Sequence, residues 1–507
     1  MRTNAIANLG NSGLTRRWMR KIAAGTAITL AAGSAGAQDS VATYLDRIAA
    51  IDDAGPKLNA VIVTNPAARS EATGKKAPLD GLAVLVKDNI ETRDMPTTAG
   101  SLALAGNLTG RDAPLVARLR AAGAVIIGKT NLSEWANFRG HRSSSGWSGV
   151  GGQTKNPYAT DRSPCGSSSG SGAAIAAGLA WAAIGTETDG SITCPASLNG
   201  IVGFKPTVGL VSRSLVIPIS SSQDTAGPMT TSVHDAALLL NAIAGSDPAD
   251  PATRDADSHV VDFTHGLATA SLKGVRIGVL RKQAGSMPGV TALFDRAIDD
   301  MRKAGASVIE IDYTPDPAMD KGEGIVLRYE FREGIAAYLG ALPGNPPARD
   351  LAGLIAFNTA HAESELRFYG QETFIEALAA TDEAAYREAR ATSLRLAGQD
   401  GIDALMKAHT VDVLIAPTAG PAWSIDPVSG DNFPDVGAGS LAAVAGYPHL
   451  SVPMGAVEGL PIGLSFMAGK WQDAAVLKIG AAYERARSAP LPVPSFKPWT
   501  PAIRTAP

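Results

Sequence analysis

The chain has 507 residues, of which 45% are hydrophobic and 18% charged, with a formal net charge of −3. That length can bury a large core, in one big domain or in two to three ordinary ones. So small a charge, with no basic patch interleaved with aromatics, argues against nucleic acid or an anionic membrane as partner.

The first forty residues read as a targeting segment rather than as fold. Arg16, Arg17, Arg20 and Lys21 precede a short apolar run, and Ala35-Gly36-Ala37 supplies an A-x-A cleavage site. The run is too short and too rich in Gly and Ser for a membrane anchor. Arg16-Arg17 before Trp18-Met19 resembles a twin-arginine signal, the alternative being an ordinary secretory signal with a basic start. Residues 1–37 are therefore expected to be an export signal peptide. The remainder, 38–507, is expected to act in the periplasm or outside the cell. No later apolar stretch is long enough to span a bilayer.

Beyond the signal, Ser40–Ala50 patterns as a short amphipathic helix. Ala60–Pro66 and Gly81–Ile90 read as strands. Pro114–Gly123 is a helix with Pro at its start and Gly at its stop, and Ala124–Thr130 a buried strand after it. Ser171–Thr186 begins as a helix of small residues, narrow enough to sit centrally in a core. Gly274–Leu280, a helix over Thr291–Ala304 and Ser307–Tyr313 form a β-α-β unit. Thr410–Thr418, Leu450–Gly455 and Leu460–Gly469 are later strands, and Asp473–Arg487 is a closing amphipathic helix. Strands alternating with helices predict an α/β fold around a mixed, largely buried sheet. Ala244–Asp262 is a loop excursion within one domain.

Two stretches rich in serine or glycine carry the chemistry: "PCGSSSGSG" (Pro164–Gly172) and "ETDGSITCP" (Glu187–Pro195). Gly166-Ser167-Ser168-Ser169-Gly170 matches G-x-S-x-G, but a nucleophile elbow needs a strand directly before the serine, and "ATDRSPC" is none. The glycine beside Ser191 lets the backbone of Thr188, Asp189, Gly190 and Ser191 turn sharply and aim N–H groups at one point, as an oxyanion hole requires. A base is then needed. None of His141, His234, His259, His265, His361, His409 and His449 sits in a recognisable catalytic context. Lys87, at the end of the apolar "AVLVKDNI", is either a strand-end lysine reaching for solvent or a buried base. Cys165 and Cys194 are the only cysteines; a disulfide and two buried thiols both fit their positions, and with no histidine nearby they predict no metal.

"GLAVLVKDNI", "GKTNLSEWA", "GGQTKNPY", "SPCGSSSGSGAAIAAG", "GTETDGSITCPASLNGIVGFKPTVGLVSR" and "SQDTAGPM" follow one another in this order. Together they resemble the amidase signature family, most closely its bacterial peptide amidases, from about Ser40 to Arg487. The resemblance implies a single large α/β domain, a twisted mixed sheet of about eleven strands with helices on both faces. It implies a Ser–cis-Ser–Lys triad with Ser191 as nucleophile, Ser167 as bridging serine and Lys87 as base. The oxyanion hole would be the backbone of Thr188 to Ser191. No cofactor is expected. Two positions depart from the common family pattern: Asp189 stands where many members carry glycine, and Thr193 where many carry arginine.

The expected activity is hydrolysis of carboxamides, foremost the C-terminal amide of peptides, through an acyl-enzyme that releases ammonia. A general aliphatic or aryl amidase is the alternative within the family. An exported binding protein with an inactive triad is the alternative outside it. A glutaminase component that needs partner chains is disfavoured by the export signal. His141 and Thr193 are expected to touch the substrate, Thr193 favouring a neutral group beside the scissile bond because it cannot pair with a carboxylate. A small-molecule or peptide amide is the expected partner, without nucleic acid or a stable membrane anchor; a monomer is plausible.

Overall fold

Central strands that are buried on both faces lose the alternation that marks a half-exposed strand, and the sheet of this protein is built largely from such runs. A computed structural model describes residues 39–71, 74 and 76–501. The signal expected over 1–37 lies outside them. In chain order the strands are β1 (Val61–Thr64), β2 (Ala83–Lys87), β3 (Val125–Thr130), β4 (Trp147–Ser148), β5 (Gly152–Gln153), β6 (Ala182–Glu187) and β7 (Val202–Lys205). There follow β8 (Thr225–Thr230), β9 (Arg276–Leu280), β10 (Ser307–Ile311), β11 (Val413–Pro417), β12 (His449–Val457) and β13 (Leu460–Met467). Eleven of them form one sheet in the order β1-β3-β2-β6-β8-β7-β12-β13-β11-β9-β10, while β4 and β5 make a separate hairpin.

The sheet is mixed. β2 runs parallel to both β3 and β6, and β9 runs parallel to β10 and β11. Between these blocks the pairings from β6 to β13 are antiparallel. The expected β-α-β unit is present, with the helix Pro288–Lys303 crossing from β9 to β10. Helices cover both faces, giving the single large α/β domain that the sequence implied. The excursion after the helix Val233–Ile243 contributes two short 3-10 turns, Pro251–Thr253 and Ala256–Ser258. It is tied back through Asp250, which accepts two hydrogen bonds from the Arg213 guanidinium.

Ser171–Thr186 begins within the expected helix of small residues and ends as a strand. The helix spans Ser169–Ala176, and Ala177 caps it before Gly178 turns left-handed at φ 68°. The chain then becomes β6, the strand between β2 and β8. "AAIGTE" is buried along its whole length, so it shows no period-2 signal, and its alanines favour helix on propensity. Pairing with β2 and β8 overrides that preference.

The parity of β2 positions the site. Val84 and Val86 face one large core cluster, where they meet Leu119 and Ile126. Ala83 and Leu85 face the opposite cluster, which contains Ala173, Ala174 and Ile175 of the helix Ser169–Ala176. Lys87 shares their parity and therefore points to the side of that helix. A third cluster joins Trp135 to Phe331, Ile335 and Leu339 of the long helix Pro317–Gly340 and to Phe374. Among the described residues, no helix is long and apolar enough to cross a membrane.

Candidate active site

Lys87 ends β2 and is fully buried. Its Nζ lies 2.8 Å from Ser167 Oγ, 2.8 Å from Thr186 Oγ1 and 3.2 Å from the Thr186 carbonyl oxygen. Among the described residues no carboxylate stands within ion-pair distance of it. Burial lowers its pKa from 10.5 to about 7, against the weaker opposing pull of Asp224 and Glu187. A neutral amine has two N–H groups and one lone pair. The Thr186 carbonyl can only accept, and Thr186 Oγ1 also accepts from Asn89 Nδ2 at 3.0 Å. With both N–H groups spent on Thr186, the lone pair faces Ser167 Oγ.

The serine-rich segment distributes its hydroxyls among distinct tasks. Ser168 Oγ bridges Thr186, accepting from its N–H at 3.2 Å and donating to its carbonyl at 3.1 Å. Ser169 Oγ donates to the Cys165 carbonyl at 2.6 Å, and Ser171 Oγ to the Ile184 carbonyl at 3.2 Å. Of these serines, Ser167 is the one that meets Lys87. The peptide bond joining Gly166 to Ser167 is cis, as the resemblance implied for this serine. Glycine is needed at 170 for packing: a Cβ there would lie 2.2 Å from the Ala60 carbonyl oxygen. The segment before these serines is irregular rather than a strand, so no nucleophile elbow forms.

The second motif is a tight loop pinned at its base. Glu187 ends β6, and its Oε2 accepts the N–H groups of Ile192 at 2.7 Å and Thr193 at 2.9 Å. It thereby satisfies N–H groups at the start of the helix Thr193–Leu198 that would otherwise be orphaned. Thr188 Oγ1 donates to Asp224 at 2.5 Å, and Gly190 adopts φ 75°, a left-handed turn that glycine takes without cost. Among the described residues, the N–H groups of Asp189, Gly190 and Ser191 reach no backbone acceptor. The Ser191 carbonyl accepts from the Ser168 N–H at 3.1 Å, which holds the two motifs together. Cys165 and Cys194 are joined in a disulfide with Cα atoms 5.9 Å apart, resolving that alternative and cross-linking the motifs a second time.

A cavity of about 240 Å³ opens over this arrangement. Thr188 to Ser191, Gly166 and the disulfide line one part of it; Asn137, Phe138, Ile219, Leu327 and Phe433 line another. No lysine, arginine or histidine is among its lining residues. Its one ionisable lining group is Asp189, raised to about 6 mainly by burial and held by a hydrogen bond from Ser440. The nearby Glu323, raised to about 8 by burial and then by Asp189, accepts from Gln223 Nε2 at 2.7 Å.

Neither His141 nor Thr193, both expected to touch the substrate, is among the residues that line this cavity. His141 is exposed and pairs with Glu376 at 2.7 Å. Thr193 is buried, with its hydroxyl 3.2 Å from Glu187, because the first turn of its helix directs it inward. His449 is buried in β12, pushed down to about 3 by burial and the nearby Lys205 charge, and bonded to Ser465. Among the described residues no three His, Cys, Asp or Glu side chains gather as a metal-binding set. Sequence reasoning overlooked Thr186, Asp224 and Asn137. The first two lie inside the quoted motifs, whereas Asn137 lies just beyond "GKTNLSEWA" and carries no local signal.

Comparison with known proteins identifies the family. The family model described as Amidase matches residues 39–477. A probable amidase of Arabidopsis thaliana is 39% identical over 467 residues, covering 88% of this chain and 86% of that protein. The crystal structure of an amidase family protein from Bacillus anthracis superposes with a TM-score of 0.81 at 34% identity, covering 89% of this chain and 88% of that one. The structure of native peptide amidase from Stenotrophomonas maltophilia superposes with a TM-score of 0.86 at 50% identity, covering 90% of this chain and 94% of that one. The chain belongs to the amidase family of hydrolases, which act on amide bonds.

Proposed function

We propose that this enzyme removes the C-terminal amide of peptides as ammonia, with Lys87 as base, Ser167 as proton relay and Ser191 as nucleophile. The observation that carries the reading is the buried Lys87, its pKa about 7, standing 2.8 Å from Ser167 Oγ. A base poised near neutrality suits general acid–base work. Lys87 takes a proton from Ser167 as Ser167 takes one from Ser191. The Ser191 oxygen attacks the carbonyl carbon, and the N–H groups of the 188–191 loop hold the oxyanion. The relay then returns a proton to the nitrogen, the C–N bond breaks and ammonia leaves. Water hydrolyses the acyl-enzyme by the same relay.

Likeness to the Stenotrophomonas peptide amidase supports the peptide amide as substrate. So does a pocket with apolar walls and no cation among its lining residues, which suits a neutral carboxamide better than a carboxylate. The test is to incubate an amidated peptide with the purified enzyme and read the product by mass. Conversion of C-terminal amide to acid supports the reading. Internal fragments make it an endopeptidase, and fast hydrolysis of small amides alone makes it a general amidase. We further propose that the protein is exported, a reading supported by residues 16–37 and by the Cys165–Cys194 disulfide. Fractionation of the native host that finds the enzyme in the cytosol would overturn it.

A further inference from the structure

Part of the wall of the catalytic cavity is apolar, and one member of it stands out into solvent. Ile219 is buried, Phe138 and Leu327 are half-buried, and Phe433 is 61% exposed. These four come from separate parts of the chain: Leu327 from the long helix Pro317–Gly340, the others from irregular segments. A lone exposed aromatic is ordinary on a protein surface. One that lines a cavity together with a buried serine and other apolar side chains is a contact offered to a ligand.

Phe433 is held in place from both sides. Its ring packs on the buried Trp423, with centroids 4.6 Å apart. Two residues earlier, Asp431 accepts the Trp423 indole N–H at 2.9 Å and the Ser145 hydroxyl at 2.6 Å. One residue later, Pro434 packs on Gly420 so closely that a Cβ added to the glycine would lie 2.6 Å from the proline ring. Phe138 is braced in its turn, its ring 5.0 Å from that of Phe331. Rings fixed in this way lose little side-chain entropy when a ligand covers them.

The chemistry of a terminal carboxamide decides what these walls meet. The leaving group is –NH₂, which needs almost no room, so the apolar walls serve the acyl part. The carbonyl carbon attacked by Ser191 is bonded to the α-carbon of the amidated residue, whose side chain is therefore the first to reach them. A volume of about 240 Å³ falls below the roughly 300–1,000 Å³ of sites for drug-sized ligands, and suits one residue rather than a length of peptide. An aliphatic or aromatic side chain would cover Phe433 and its neighbours and release the water on both surfaces. A carboxylate side chain would find no cation among the lining residues and would share the cavity with Asp189, the one ionisable group there. We infer that the cavity selects the amidated residue itself, taking large aliphatic and aromatic side chains, with Phe433 as the specificity residue at its rim.

This inference rests on the peptide-amide reading, and its test is a ratio rather than an activity. Acetyl-glycyl peptides amidated on a last residue of phenylalanine, leucine, glycine or aspartate are compared by kcat/KM for ammonia release. Wild type should prefer phenylalanine and leucine over glycine by about tenfold or more, the discrimination that apolar pockets give, with aspartate the poorest. Phe433→Ala should cut the phenylalanine-to-glycine ratio by about threefold to tenfold, the worth of one aromatic contact. Phe433→Leu keeps the rim apolar and should hold the ratio within about twofold of wild type. A wild-type ratio near one overturns the inference. So does a Phe433→Ala ratio equal to that of wild type, whether both rates fall together or neither falls. A Phe433→Leu ratio as low as that of Phe433→Ala overturns it too, because an apolar rim would then not be what selects. A wild type that releases ammonia from none of the four peptides defeats the peptide-amide reading, and the inference falls with it; one that treats all four alike defeats the inference alone.

Discussion

Two lysines buried on adjacent strands show how one residue type is put to opposite uses. Lys87 ends β2, and Lys129 sits on β3, where it pairs in register with Val86. Both are fully buried, and burial lowers the pKa of each. Lys129 faces the Asp88 carboxylate at 3.0 Å, which opposes the lowering by burial, with Thr97 Oγ1 at 2.8 Å and the Pro96 carbonyl at 3.1 Å beside it. Among the described residues Lys87 has Thr186 and Ser167, neutral partners that do not repay the loss of water around a cation. The carboxylate is the difference between them: Lys129 has one as its ion-pair partner, and Lys87, which we propose as the base, has none among the described residues.

Substitution should separate the two most sharply in activity. Lys87→Met and Lys87→Arg should both abolish turnover, the arginine because guanidinium stays protonated. A Lys87→Arg enzyme with near-normal rates would end the base assignment. Ser167→Ala should retain a rate lower by about 10²–10⁴-fold, the usual worth of general acid–base help. An equally dead Ser167→Ala and Ser191→Ala would instead mark Ser167 as indispensable to the relay, and a fully active Ser167→Ala would remove it from the mechanism.

Stability should reverse the ranking. Lys129→Met leaves Asp88 buried without its partner, a change that typically costs about 3–5 kcal/mol. Lys87→Met removes a group that is disfavoured in its charged form, so the melting temperature at pH 6 should hold or rise. Denaturation of both variants checks this; a Lys87→Met protein as unstable as Lys129→Met would show that Lys87 is a structural cation after all.

The pH dependence follows from the same contrast. Between about 7 and 10.5 Lys87 binds fewer protons in the folded state than in the unfolded state. Its contribution to stability therefore rises with pH across that window, and its burial is most costly below pH 7. Activity has the same sign: kcat/KM should fall as pH drops through about 7 and Lys87 gains its proton. A flat profile from pH 8 to pH 5 would count against it.

The smallest effect belongs to a residue placed outside the pocket. His141→Ala breaks an exposed pair with Glu376, worth about 0–1 kcal/mol. It should leave the KM for a peptide amide unchanged, and a large rise in KM would return His141 to substrate binding.

Much of this arrangement is legible in the chain because its signals are local. The Pro and Gly ends of the helix at Pro114, the apolar run that leads to Lys87 and the order of the glycine- and serine-rich motifs each lie within a few residues of what they determine. The sequence by itself determined the α/β class, most strand positions, and the identities of Lys87, Ser167 and Ser191 as the residues to examine. Tertiary structure decided the rest, because those matters depend on groups far apart in sequence. β6 is a strand only because β2 and β8 flank it. Which of Lys87 and Lys129 has an ion-pair partner depends on where the Asp88 carboxylate lies in the fold. Thr193 lost its place in the pocket to a hydrogen bond with Glu187, and the cysteines pair because two motifs 29 residues apart fold together. Asn137 turns its Nδ2 to Ser145 Oγ because Asp431, nearly three hundred residues on, claims the Ser145 proton. Burial and partner choice are properties of the assembled core, and no local pattern encodes them.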